Sequence, residues 1–230
     1  MAGNSQADLL EAVDLRRRST GEQVAEALRE AIFDGRLAPG AHLREAALAE
    51  AFNVSRNTVR GAIQALDRDG LVTHRVHRGA FVTELEAEGI KDVYATRRLV
   101  ELSALETVPT ADALIPLEAA LSASRAAIDA GDDAEIRDAD LEFHRAVAAL
   151  RGSPRLSALF AEMEAETRLS TLLVGNAHPD PERLYAEHRE ILELLRAGDA
   201  EKARELLGAH LSDSEAVLLE ALARRQADTA

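Results

Sequence analysis

Four ionisable side chains stand where the helical pattern calls for core residues. Along residues 133–150, Ile136, Asp140, Phe143, Val147 and Leu150 recur at a 4-3-4-3 spacing, so a carboxylate interrupts an apolar seam. His144 lies four residues beyond Asp140 on the same helical face, where Cβ atoms are roughly 6 Å apart. In 181–197 the seam is Leu184, His188, Ile191 and Leu195, and in 199–224 it is Ala203, Leu207, His210, Ser214 and Val217. A buried carboxylate is costly unless paired, and neutral imidazoles still need hydrogen-bond partners. A divalent cation would satisfy all four side chains at once. Three imidazoles and one carboxylate suit zinc, taken first, or Ni²⁺, Mn²⁺ or Fe²⁺, with positions left open for water or a ligand. The alternative is a set of hydrogen-bonded core side chains, with Asp140 and His144 a simple ion pair; spacing alone leaves both open.

Arg97 raises a related question. It shares an inner face with Ile90, Val93, Val100 and Ala104, where a charge would be misplaced in a plain core. It either pairs with Glu101 one turn on or anchors an anionic ligand beside the Asp/His cluster. The other histidines read as solvated: His42 in a loop, His74 and His77 near a hairpin tip, and His178 in the loop 175–181.

These side chains need helices to position them. Beyond residue 83 helical periodicity covers almost everything, over 86–107, 110–130, 133–150, 154–174, 181–197 and 199–224. The breaks fall at Val108-Pro109, Gly131-Asp132, Gly152-Ser153-Pro154, the stretch 175–181 and Gly198-Asp199. Six helices with short connections predict an antiparallel bundle.

The N-terminal part reads differently. Thr20 to Phe33 is a helix with Val24, Leu28, Ala31 and Ile32 inward, and a Pro-Gly turn follows. Residues 44–83 then give a short helix, a tight turn at Asn53, an arginine-bearing helix N-capped by Ser55, and a β-hairpin. Val59, Ala62, Ile63 and Leu66 make the buried stripe of that second helix. Arg56, Asn57 and Arg60 fall off the stripe near its N-terminus, the end that reaches base edges in helix-turn-helix proteins. Strands at 71–73 and 80–82 leave Arg75, His77, Arg78 and Gly79 around a basic wing tip. An ordinary solvated helix face is the bland reading of Arg56 and Arg60; the surrounding pattern argues against it.

Charge follows the same division. The 230 residues hold 27 Lys+Arg and 41 Asp+Glu, net −14, yet residues 1–83 carry 11 of each sign. All of the net charge therefore belongs to residues 84–230, and residues 55–82 hold five arginines against Asp67 and Asp69. With 47% hydrophobic residues the chain should fold. The absence of cysteine excludes a disulfide framework and a thiol nucleophile. No apolar run nears the ~20 residues of a membrane span, and no signal-like apolar core opens the chain, which reads as cytoplasmic.

The run from Leu37-Ala38-Pro39-Gly40 through Val54-Ser55-Arg56-Asn57-Thr58-Val59-Arg60 to Gly70-Leu71-Val72 resembles the DNA-binding domain of GntR-superfamily transcription regulators. The bundle is similar to the C-terminal FCD domain of their FadR-type subfamily: Arg97 with Glu101, Asp140 with Phe143-His144, Glu187-His188 before Ile191-Leu192, and His210-Leu211. Six helices place it with the VanR-like branch. The resemblance implies a mainly α protein of three parts: an N-terminal arm at 1–17, a winged helix-turn-helix at 18–83, and an all-α antiparallel six-helix bundle at 84–230. The arm could be frayed or a short helix. The resemblance implies a homodimer on palindromic operator DNA, contacted by Arg56, Asn57, Thr58 and Arg60, with the Arg78-Gly79 wing near the minor groove. It also implies a divalent metal at Asp140, His144, His188 and His210, and a small organic acid effector. The sequence departs from the family at Gly61, Asn57 and Ala46, which bears on which operator is read. A metal-dependent enzyme and an architectural DNA-binding protein with a merely dimerising bundle are the rival readings.

Overall fold

The computed structural model describes residues 19–84, 86–172 and 180–228. The N-terminal arm, Leu85 and His178 lie outside the described residues. Helix α1, Thr20–Phe33, begins in a capping box: Ser19 Oγ accepts from the Glu22 amide at 3.2 Å, and the Ser19 amide donates to Glu22 at 2.6 Å. It buries Val24, Ala25, Leu28 and Ile32, while Ala31 is half-buried. Next come strand β1, His42–Leu43, then helices α2, Glu45–Ala51, and α3, Arg56–Arg68. Asn53 has φ 52°, so the turn adopts the left-handed conformation its sequence foretold. Ser55 caps α3 by accepting from the Thr58 amide at 3.1 Å, and Val59, Ala62, Ile63 and Leu66 face the core.

Strands β2, Val72–Arg75, and β3, Gly79–Val82, form the wing, and β1 adds a third strand in the order β1-β3-β2. All pairings are antiparallel, with Leu43 opposite Ala80 and Val72 opposite Val82. His42 is thus a strand residue and not a loop residue; its ring stacks on Phe81 at 4.6 Å. Only two residues long, β1 is too short to show an alternating pattern.

The second part comprises α4, Ala87–Ala104; α5, Ile115–Ala130; α6, Asp133–Ala149; α7, Pro154–Leu172; α8, Pro181–Arg196; and α9, Ala200–Asp228. The expected helix at 110–130 is a 3-10 turn, Ala111–Leu114, followed by α5. Pro116 explains the change, since proline without an N–H fits the first helical turn but not the interior. Helix α4 stops three residues short of the expected 107, and α9 runs four beyond 224. The α9 core contact drifts from the expected Ser214 and Val217, both half-buried, to Leu211, Leu218 and Leu222.

Helix α7 belongs to both parts. Phe160 and Met163 pack with Val100, Leu141 and Ala148 of the bundle. Nearly two turns on, Leu169, 1% exposed, completes the core of the winged domain with Leu28, Leu66 and Leu71, and Ala165 packs beside it. No described helix is long and apolar enough to cross a membrane.

Candidate metal and DNA-reading sites

Helices α6, α8 and α9 bring the four seam residues together. One ligand atom from each of Asp140, His144, His188 and His210 lies within 4.8 Å of the others. His210 Nε2 is 3.3 Å from Nε2 of both His144 and His188, and Asp140 Oδ1 is 3.7 Å from His188 Nε2 and 4.0 Å from His144 Nε2. The imidazoles are buried, whereas Asp140 keeps 21% of its side chain exposed and stands at the rim. Phe143 stacks on the His188 ring at 4.1 Å and holds its plane.

Two carboxylates behind the rings decide what the nitrogens can do. His144 Nδ1 lies 2.6 Å from Glu101 Oε2, and His210 Nδ1 lies 2.8 Å from Glu187 Oε2. Burial alone would raise the Glu101 carboxyl, but Arg97 and His144 overcome it and hold it at about 2. Glu187 is also held at about 2, chiefly by its hydrogen bond to His210 against partial desolvation, with Arg183 adding to it. Ionised carboxylates only accept, so both Nδ1 atoms carry the donated proton. In the neutral ring each Nε2 is then a lone pair, and two such lone pairs face each other across 3.3 Å. Burial keeps His144 below its ordinary range and His188 well below it, with repulsion from His210, His144 and Arg97 adding to the His188 shift. Three buried imidazole nitrogens converging beside a carboxylate fit a divalent cation. The set of hydrogen-bonded core side chains considered as an alternative leaves the facing lone pairs without a proton between them.

Arg97 does pair with Glu101, Nε to Oε1 at 2.8 Å, both residues on α4 with their side chains buried. Its guanidinium also lies 5.0 Å from the Tyr94 ring centre. The pairing is not the whole of it, because Arg97 Nη2 is buried without any hydrogen-bond partner. Such an orphan is rare and costs roughly 1–3 kcal/mol until an acceptor arrives. Tyr94, pushed up to about 12 chiefly by burial, stays a neutral phenol there.

On the other domain, Arg56 and Asn57 are exposed at the start of α3. Thr58 is half-buried and its hydroxyl meets Ser55 Oγ at 2.8 Å, so part of its hydrogen bonding serves the cap. Arg60 points outward but is held by Glu45. At the wing, Arg75 is tied to Glu84 and lies over Phe81, leaving Arg78 at the tip. Gly79 has φ 94°, and a Cβ there would sit 2.9 Å from His42 Nε2, so only glycine fits. Arg44, exposed on the same domain, was not singled out in the sequence; it is the N-cap of α2 without a side-chain cap bond.

Residues 20–82 match the family described as bacterial regulatory proteins, gntR family, and residues 92–213 match the FCD domain. The chain belongs to the GntR family. Among its relatives, the HTH-type transcriptional regulator BphR of Paraburkholderia xenovorans (strain LB400) is 32% identical, with 87% of this chain and 86% of BphR aligned. The HTH-type transcriptional repressor RspR of Escherichia coli (strain K12) is 25% identical over 85% of this chain and 88% of its own length. A crystallised transcriptional regulator GntR from Rhodococcus sp. RHA1 superposes with TM-score 0.80 at 36% identity, covering 89% of this chain and 99% of that one. This GntR-family chain, with its FCD domain, is a transcriptional regulator and not an enzyme.

Proposed function

We propose that the protein is a homodimeric repressor that holds a palindromic operator through two winged helix-turn-helix domains and releases it when a small organic acid binds in the bundle. The division into an arm at 1–17, a DNA-binding domain at 18–83 and a sensing domain at 84–230 goes with this reading, as does action in the cytoplasm. The observation that carries it is the pairing of a cation-fitting nest with a buried, unpartnered guanidinium nitrogen. Asp140, His144, His188 and His210 would hold a divalent metal, zinc first, which when bound supplies positive charge and open coordination for an anionic ligand. Arg97 Nη2 would donate to a carboxylate oxygen of the same ligand, and the Tyr94 ring limits where its guanidinium can swing. Arg56, Asn57, Thr58, Arg60 and the Arg78-Gly79 tip would face DNA, Arg78 near the minor groove. Two-fold symmetry of a dimer would match the two half-sites of a palindrome.

A ligand shifts operator affinity only by its differential affinity for the two domain arrangements, typically 1–3 kcal/mol. The decisive experiment is metal analysis with native mass spectrometry on wild type, His188→Ala and His210→Ala. Stoichiometric divalent metal in wild type and its loss in both variants is expected; retained metal in the variants would refute the four-ligand site.

A further inference from the structure

Among the arginines at the DNA-facing end of the winged domain, Arg60 alone is locked by a two-point fork. Its Nε donates to Glu45 Oε1 at 3.0 Å and its Nη2 to Glu45 Oε2 at 2.8 Å. The two residues stand on different helices, α2 and α3, and both are partly exposed, at 35% for Glu45 and 55% for Arg60. An ion pair in open solvent adds little to stability, so its main effect is orientation. A guanidinium carries five N–H donors. Glu45 occupies the side-on edge, which leaves the end-on edge, one hydrogen on Nη2 and one on Nη1, outside the Glu45 fork. That edge too carries two parallel donors, and guanine presents O6 and N7 to such a pair in the major groove. Arg56 and His74 also act electrostatically on Glu45, so its carboxylate sits within a ring of basic groups and does not turn this end of the domain acidic.

We propose that Glu45 is a positioning residue for base reading: it fixes the Arg60 guanidinium so that its free edge reads a guanine, and thereby sets sequence discrimination without touching DNA. This rests on the assignment of α3 as the helix that reads DNA. A carboxylate so placed weakens attraction to phosphates in general while sharpening the choice of base, and removing it reverses both effects.

The test uses the full-length protein and a duplex selected by the wild type from random-sequence DNA, with a scrambled duplex as the non-specific probe. Glu45→Gln should lower the ratio of selected to scrambled affinity about ten-fold. Binding to the scrambled duplex should hold or strengthen, and the slope of log affinity against log salt should steepen by up to about 0.9. An unchanged ratio overturns the proposal. A raised ratio also overturns it, since Glu45 would then be a competitor of DNA for Arg60. Should Glu45→Gln fail to fold by circular dichroism, Glu45→Asp decides, because it keeps the charge but withdraws the carboxylate by one methylene: a lowered ratio supports positioning and an unchanged one refutes it. A wild type that enriches no sequence would remove the DNA-reading assignment and this proposal together, whereas an enriched sequence with a Glu45-independent ratio removes this proposal alone.

Discussion

His144 and His210 each donate Nδ1–H to a carboxylate from another helix, Glu101 and Glu187, and this is what turns their Nε2 atoms inward as lone pairs. Partners of this kind typically contribute 10–100-fold to metal affinity. Glu187→Gln keeps the shape but offers a weaker, neutral acceptor, so zinc affinity measured by chelator competition should fall about ten-fold or more while helical content holds. The four clustered residues were legible in the sequence because each puts polarity on an otherwise apolar seam. The carboxylates behind them were not. Glu101 sits four residues from Arg97 and reads as an ordinary helical ion pair, yet its second oxygen reaches His144, 43 residues away. Glu187 lies one position off its seam and was visible only through the family resemblance; its partner is 23 residues on. Local spacing carries no information about which helices face each other.

Among the elements, α7 has the least readable sequence, because its two apolar patches serve different cores and blur any single stripe. Where it crosses to the winged domain, Glu166 stands beside Gly70, partly buried, and desolvation with the nearby Asp92 raises its carboxyl. A carboxyl raised on folding weakens the fold as pH rises: the folded state binds the proton more tightly, so stability falls between the unfolded value and the higher folded one. Glu166→Gln should therefore raise the melting temperature modestly near pH 7, with the gain shrinking as the buffer is acidified below the ordinary carboxylate range. Paired melts at pH 7 and pH 4 check it; equal gains at both would show that charge is not the cause. By contrast α1 and α3 were readable, since the Ser55 cap and a single buried stripe act within one or two turns, although the Ser19–Glu22 box went unread and Ala25 takes the inward place expected of Ala31. Local signals also placed the wing hairpin, but not β1, whose partner strand lies almost 40 residues away.

Across the whole molecule, the net acidity belongs to residues 84–230 while residues 55–82 hold five arginines against two aspartates, a separation that favours approach to DNA with the winged part leading. The parts are joined by more than the segment 83–86. Arg168 of α7 pairs with Asp138 of α6, two residues before Asp140 at the rim of the cluster, and its guanidinium lies 4.1 Å from the Phe33 ring centre at the end of α1. Arg168→Ala should leave metal content intact but shrink the difference in operator affinity between metal-loaded and chelator-treated protein, read by fluorescence anisotropy at fixed salt. A difference as large as wild type would place the coupling elsewhere.

Leu169 sits in the core of the winged domain although the chain reaches it some 85 residues after that domain's last strand. Anyone cutting this regulator at the domain junction to graft its DNA reader onto a different sensor would leave a hole among Leu28, Leu66 and Leu71. The transferable unit is the winged domain together with a matching α7 surface, so only donors whose seventh helix presents a comparable apolar pair should yield working hybrids.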